Sequence, residues 1–150
     1  MKKYLYTVVF VFMILTLSAC GAENTKINIE ELSADLISNV EFADEMTLIN
    51  EKTVESLYNI NYAISQQVYI SSGATAEEVA VFELKDENDA DKALDAVNQR
   101  IETQKQDFKT YIPEEIPKLE NAIVKKVGQY VIVCVSSGDE AGEIIDRYLK

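Results

Sequence analysis

The sequence contains no histidine and no tryptophan, and only five glycines, two prolines and two cysteines among its 150 residues. Without histidine, the chain lacks the commonest general base and the usual metal ligand, so Ser-His and Cys-His nucleophilic sites are excluded. A glycine-rich phosphate loop is also missing. The sequence therefore predicts no cofactor and no metal site, and it offers no recognisable set of catalytic residues.

An acidic run at residues 86–91 superficially resembles the start of a calcium-binding loop. An EF-hand loop needs oxygen ligands at positions 1, 3 and 5, glycine at position 6 and glutamate at position 12. Counted from Asp86, position 5 is Ala90, position 6 is Asp91 and position 12 is Val97. Because the spacing fails, we interpret the run as the amino-terminal cap of a helix, where acidic side chains face the positive end of the helix dipole.

Basic side chains are scarce, with 14 lysines and arginines against 26 acidic residues and a net charge of −12. A polyanion repels the phosphate backbone, so nucleic acid is excluded as an expected partner. Anionic lipid headgroups repel it as well. Contact with a membrane would therefore require a covalent anchor, and the sequence leaves any protein or small-molecule partner open.

The amino terminus has the pattern of a bacterial lipoprotein signal peptide. Lys2 and Lys3 precede 14 uncharged residues, a run too short for a membrane-spanning helix. The run leads into the sequence Leu-Ser-Ala-Cys, which resembles a lipobox and ends at Cys20. We expect removal of residues 1–19, lipid attachment at Cys20 with a tether over residues 20–27, and localisation on the extracytoplasmic face of the cell membrane. An ordinary secretory signal with a chance cysteine is the alternative.

The pattern of residues 28–150 predicts one α+β domain. Asn28 and Asn50 are candidate caps for two short helices, and hydrophobic periodicity predicts strands at 67–71, 78–85, 122–127 and 130–136. Between the two hairpins lies a long helix over residues 88–110, and a closing helix follows the last strand. We predict a four-stranded antiparallel sheet from two hairpins joined by this helix, with flanking N- and C-terminal helices. The residues expected to be buried are Phe82, Leu94, Val97, Ile101, Phe108, Ile132 and Val133.

Several local motifs extend over most of the proposed domain, from Ile29 to Ser136. The motif positions are Gly73-Ala74, the run Ala76-Glu77-Glu78-Val79-Ala80-Val81-Phe82, Arg100, Gln104, Phe108, Tyr111, Pro113, Asn121-Ala122, Gly128 and Tyr130-Val131. In these motifs the chain resembles the bacterial lipoproteins catalogued as domain of unknown function 4358. It departs from that pattern at Asn59, where glycine is expected, and at Gln129, where asparagine is expected. The resemblance implies no established activity and no catalytic residue.

Three groups of side chains could still have chemical roles. Glu77 and Glu78 form a carboxylate pair at a strand entrance, but adjacent strand residues point to opposite faces, so we interpret them as solvated strand-edge charges that do not share a proton. Cys134 lies inside an apolar strand and is expected to be a buried, unreactive thiol without a disulfide partner. Three tyrosines occupy positions that follow the hydrophobic periodicity of the predicted elements, and they are assigned to the core: Tyr58, Tyr130 and Tyr148.

Two classes of function are compatible with these features. We expect a non-enzymatic binding or accessory module at the cell surface, because the chain combines a lipid anchor with a compact acidic domain. The alternative is a hydrolase that acts on cell-envelope glycan with two carboxylates and no histidine. Such carboxylates need not be close along the chain, so the sequence alone leaves the alternative open.

Overall fold

A computed structural model describes residues 26–150. The predicted signal peptide and Cys20 lie outside these residues. Five α-helices are present in the described part: α1 (Ile29–Asn39), α2 (Glu51–Tyr58), α3 (Glu87–Tyr111), α4 (Ile116–Glu120) and α5 (Glu140–Tyr148). A 3-10 turn over Pro113–Glu115 precedes α4. The strands are β1 (Thr47–Leu48), β2 (Ser65–Ile70), β3 (Glu78–Glu83), β4 (Ile123–Val127) and β5 (Tyr130–Val135).

The strands form one antiparallel sheet in the order β1-β2-β3-β5-β4. Both predicted hairpins are present, and they join through the pairing of β3 with β5. The predicted number of four strands is wrong, because Thr47 and Leu48 pair with Ile70 and Tyr69 as a fifth, two-residue edge strand. Two residues are too few to show a period of two, so hydrophobic periodicity could not indicate a strand there.

Helices cover both faces of the sheet. On one face, α2, α3 and α4 enclose a core that contains Phe82 and Val133. On the other face, α1 and α5 enclose a second core that contains Val81 and Ile132. The central strands β3 and β5 are therefore buried on both sides, which agrees with the continuous hydrophobic run of β5.

The apolar stripe of α3 packs on the sheet through Ala90, Ala93, Val97 and Ile101. All seven residues expected to be buried are buried except Leu94 and Phe108, which are only half-buried. A helix of 25 residues is about 37 Å long, whereas the six-residue strands extend about 20 Å. The last turns of α3 therefore project beyond the sheet and leave Phe108 beside a cavity described below.

Helix caps and turns follow the predicted residues closely. Asn28, Asn50 and Asp86 cap α1, α2 and α3 by accepting hydrogen bonds from backbone N–H groups. Asn59, which stands where glycine was expected, ends α2 in the left-handed conformation with φ of 57°. Asparagine tolerates this region better than other non-glycine residues, so the departure keeps the same turn.

Candidate functional site

Glu77 and Glu78 lie at the start of β3 and are both buried, with 1% of each residue exposed. The interpretation as solvated charges is wrong, because both faces of the sheet are covered at this point. The prediction that the two carboxylates act separately agrees with the structure, since they share no hydrogen-bond partner. Two buried charges thus stand side by side in the chain, and each has its own set of partners.

Glu78 is held by three side chains from α2 and α3. Its Oε2 accepts from Arg100 Nη2 at 2.9 Å and from Gln104 Nε2 at 3.3 Å, and its Oε1 accepts from the Tyr58 hydroxyl. Arg100 and Gln104 are four residues apart, so both project from the same side of α3. The guanidinium of Arg100 also lies 5.9 Å from the ring centroid of Tyr58. We call these four residues the Glu78 cluster.

Tyr58 is fixed in its neutral form within this cluster. Burial raises the pKa of its hydroxyl well above the usual value, and the nearby Glu78 charge and hydrogen bond raise it further. The ring packs edge-on against Phe82, with the centroids 5.3 Å apart. Tyr58 therefore serves as a hydrogen-bond donor to Glu78 rather than as a proton acceptor.

Glu77 is held by backbone N–H groups and a lysine. Both of its carboxylate oxygens accept from Ala43 N at 3.0 Å, and its Oε1 accepts from Lys118 Nζ at 2.9 Å. Burial alone would raise the pKa of Glu77, but the Ala43 hydrogen bonds and the Lys118 ammonium outweigh burial and lower it. Lys118 also pairs with Glu115 at 3.0 Å, so the three charges join the 43–44 loop, β3 and α4.

A cavity of about 130 Å³ opens beside the Glu78 cluster. It is lined by Ile70, Ser71, Gly73, Thr75, Glu77, Glu78, Arg100, Gln104, Asp107 and Phe108. Two buried atoms of its lining residues have no hydrogen-bond partner within residues 26–150, namely Arg100 Nε and Gln104 Oε1. Only 6% of Gln104 is exposed. Buried polar atoms are nearly always paired in folded proteins, and a bound water or ligand is the usual partner where protein groups supply none, so these two atoms make the cavity the candidate site.

Larger surface grooves exist but lack this combination of features. One of about 630 Å³ between α1 and α5 is lined mainly by charged residues such as Asp35, Glu143 and Arg147. Another, of about 330 Å³, borders α2 and the start of β2, where Gln66 Oε1 is buried without a partner. Among residues 26–150, neither groove combines an unpartnered buried donor with an unpartnered buried acceptor, and so the smaller cavity is the better candidate site.

The carboxylate pair does not have the arrangement of a glycosidase site. Glycosidases need one carboxyl with a raised pKa as general acid and a second one free to act on sugar or water. The pKa of Glu77 is lowered, and both oxygens of each glutamate already accept hydrogen bonds from protein groups. Within the described residues, no three His, Cys, Asp or Glu side chains converge to hold a metal ion.

The other residues singled out from the sequence are structural. Cys134 is buried as expected, and burial raises the pKa of its thiol to about 12. Asp86 accepts from Asp89 N at 3.0 Å, which makes the acidic run a helix cap. Tyr130 is buried, whereas Tyr148 packs against the second core but is only half-buried, and its hydroxyl contacts Asp35 at 3.2 Å.

Sequence reasoning missed the roles of Lys118 and Glu115 and the function of the Glu78 cluster. Lys118 and Glu115 gave no signal, because they lie about 40 residues from Glu77, in α4 and in the 3-10 turn before it. One feature of the sequence did indicate the Glu78 cluster, because Gln104 is the one polar residue in the apolar stripe of α3. A polar residue at a core position needs a partner, and Glu78 is the nearest buried charge across the interface.

One family model matches residues 38–136, about two thirds of the chain, and its description, Domain of unknown function (DUF4358), names no activity. Comparison with curated proteins and with solved structures gave no match. Among the helices of residues 26–150, none is both long enough and apolar enough to cross a membrane.

Six motif positions noted in the sequence line the 130 Å³ cavity: Gly73, Glu77, Glu78, Arg100, Gln104 and Phe108.

Proposed function

This chain belongs to the family described as Domain of unknown function (DUF4358), and from that premise we propose a non-enzymatic binding module held at the cell membrane by a lipid. In this proposal, residues 1–19 are a signal peptide, Cys20 bears the lipid, and residues 28–150 form one α+β domain on the extracytoplasmic face. The domain binds a small ligand, or an exposed group of a larger one, in the cavity beside the Glu78 cluster.

The observation that supports binding is the pair of unpartnered buried atoms at this cavity. Leaving a buried donor or acceptor unpaired costs about 1–3 kcal/mol of folding free energy. A ligand that pairs with Arg100 Nε and Gln104 Oε1 would recover part of that cost on binding. Both oxygens of Glu77 and of Glu78 already accept hydrogen bonds from protein groups, which favours binding over hydrolysis by this pair.

The proposed anchor is supported by the lipobox-like sequence that ends at Cys20. A lipoprotein anchor has more than one acyl chain, and stable membrane attachment requires about two such signals. Ile27 is buried in the core beside α1, so the connection between lipid and domain would be only a few residues long. The domain would therefore be held close to the membrane surface.

Lipid attachment is tested by metabolic labelling of cells with radioactive palmitate. The wild-type chain should incorporate label and remain in the membrane fraction, whereas Cys20→Ser should do neither. Cys134→Ser is the matched control and should be labelled like the wild type, because Cys134 is buried. Equal labelling of wild type and Cys20→Ser, or no label in either, would contradict the anchor.

Ligand binding is tested by NMR chemical-shift mapping of a library of small polar fragments. At least one class of fragment should shift the signals of Thr75, Arg100 and Gln104 in a saturable way. Shifts confined to another face, or none at all, would contradict the proposed site. Hydrolysis would replace binding as the proposed function under one result. The wild-type chain would release reducing ends from cell-wall glycan, and both Glu77→Gln and Glu78→Gln would lose this activity while retaining the fold.

A further inference from the structure

We infer that the cavity beside the Glu78 cluster recognises a neutral secondary amide, such as an acetamido group. This inference rests on the proposed binding function and deepens it by naming the chemistry of the ligand. Three features of the cavity support it: the type of the unpartnered atoms, the charge of the lining and the size of the space.

The unpartnered atoms are one donor and one acceptor. Arg100 Nε bears a hydrogen and can only donate. Gln104 Nε2 donates to Glu78 Oε2 at 3.3 Å, which leaves Gln104 Oε1 as the acceptor. The opposite amide orientation would place Oε1 against the Glu78 carboxylate, so the network fixes the assignment. An amide ligand presents a carbonyl to Arg100 Nε and an N–H to Gln104 Oε1, and thereby pairs with both atoms.

The charge of the lining favours a neutral ligand. The cavity is lined by three carboxylates, Glu77, Glu78 and Asp107, against the charge of Arg100 and that of Lys118 behind Glu77. The balance stays negative, so an anion would be repelled. A cation would be attracted by the carboxylates, but it cannot accept from Arg100 Nε and would lie beside the guanidinium charge. Only an uncharged group with a donor and an acceptor avoids both costs.

The size and walls of the cavity separate an amide from a hydroxyl. A volume of about 130 Å³ is roughly that of four water molecules, at about 30 Å³ each. Ile70 and Phe108, both half-buried, supply an apolar wall. A hydroxyl could also donate and accept, but its single oxygen would leave that wall uncovered. An acetamido group fills more of the space and places its methyl group against the wall.

The test titrates the purified full-length chain with five probes and follows the NMR signals of Thr75, Arg100 and Gln104. Two probes have a neutral secondary amide, N-acetylglucosamine and N-acetylglycine methylamide, and three lack it: glucose, acetate and methylammonium. At least one amide probe should bind at least tenfold more tightly than all three others. Binding of the sugar, of the peptide-like probe or of both identifies the source of the amide, and each of these results supports the inference.

Variants link the binding to the two named atoms. Arg100→Lys keeps a positive charge near Glu78 but removes the Nε donor, and Gln104→Met removes the acceptor with little change in volume. Each substitution should weaken the binding of the amide probe at least tenfold. Gln106→Met, at an exposed position of the same helix, should bind the probe like the wild type. A dispersed NMR spectrum establishes folding, and Arg100→Lys provides the test if Gln104→Met fails to fold.

Two results would overturn the amide assignment. If glucose, acetate or methylammonium binds in the cavity as tightly as the amide probes, the assignment of the ligand as an amide is wrong, but the proposed binding function stands. If no amide probe shifts these signals, or if Arg100→Lys binds as tightly as the wild type, the inference also fails. The fragment library then decides separately whether the proposed function fails with it.

Discussion

At the scale of single residues, the burial of Glu77 and Glu78 depends on their different partners. Glu78 pairs with the guanidinium of Arg100, and Glu77 pairs with the ammonium of Lys118 and with backbone N–H groups. Removing one partner of a buried ion pair costs about 3–5 kcal/mol, because the remaining charge stays desolvated. Each glutamate is therefore tied to its own partners, and the two share none.

The thiol of Cys134 gives a prediction at this scale. Its pKa is raised to about 12 by burial, so only about one molecule in ten thousand would be a thiolate at pH 8. In the Cys20→Ser chain, an aromatic disulfide reagent should modify Cys134 at least about 100-fold more slowly than it modifies the urea-unfolded chain. Modification at the same rate in the folded and unfolded chains would contradict the burial of the thiol.

At the scale of elements, the β4–β5 hairpin depends on the turn at Gly128 and Gln129. Gly128 has φ of 54°, while Gln129 does not have positive φ. This combination matches a type II′ turn, in which glycine takes the first central position. The hairpin places β5 between β3 and β4, where it contributes Ile132 and Val133 to opposite faces of the sheet.

Two glycine substitutions should have opposite effects on stability. Gly128→Ala should lower the free energy of unfolding by about 1–2 kcal/mol, because alanine is strained at positive φ. Gly142 lies inside α5, and a Cβ added there would be an ordinary 3.7 Å from Ile123 Cδ1. Gly142→Ala should therefore raise the free energy of unfolding by about 0.5–1 kcal/mol.

Urea unfolding of both variants measures the difference. A Gly128→Ala chain as stable as the wild type would mean that the turn does not require positive φ. Loss of stability in Gly142→Ala would mean that α5 packs more tightly on β4 than the structure indicates.

The elements that the sequence predicted well are those with strong local signals. Helix α3 combines an acidic cap with a long stripe, and β5 alternates between two apolar faces, so their positions follow from short windows of sequence. The site depends instead on contacts across 20–40 residues, such as Tyr58 with Glu78 and Glu77 with Lys118. Nothing local distinguishes a glutamate that will meet a buried arginine from one that will face water, so the solvated interpretation of Glu77 and Glu78 was wrong.

At the scale of the whole molecule, the central sheet is enclosed by helices on both faces, with the Glu77 and Glu78 contacts near one end of β3. Glu77 connects the 43–44 loop to α4, and Glu78 connects α2 to α3 through Tyr58 and Arg100. The two glutamates thus join β3 to four other segments of the fold. Loss of the contacts of either glutamate should therefore lower the stability of the whole fold.

The acid sensitivity of the fold is one consequence. The pKa of Glu77 is lowered in the folded state, chiefly by the Ala43 hydrogen bonds and Lys118 acting against burial. Its contribution to stability is present above the unfolded pKa and is lost as pH falls through the folded pKa. The free energy of unfolding should therefore drop between about pH 6 and about pH 3, and it should drop less in Glu77→Gln.

Urea unfolding at both pH values tests this prediction. Glu114→Gln is the matched control, because Glu114 is an exposed residue near Lys118 in sequence. The control should lose as much stability on acidification as the wild type. An equal loss in wild type and Glu77→Gln would show that this carboxylate does not govern the acid sensitivity.

The central claim is that Gln104 is placed for a ligand rather than for the stability of the fold. Its Oε1 is buried without a partner, and Glu78 keeps both Arg100 and Tyr58 when Gln104 Nε2 is removed. The most direct test is the free energy of unfolding of Gln104→Met in urea without ligand, with Gln106→Met as the exposed control. We predict that Gln104→Met leaves this free energy unchanged or raises it by up to about 1 kcal/mol. A decrease of about 2 kcal/mol or more, with the control within about 0.5 kcal/mol of the wild type, would contradict the claim and make Gln104 a structural residue.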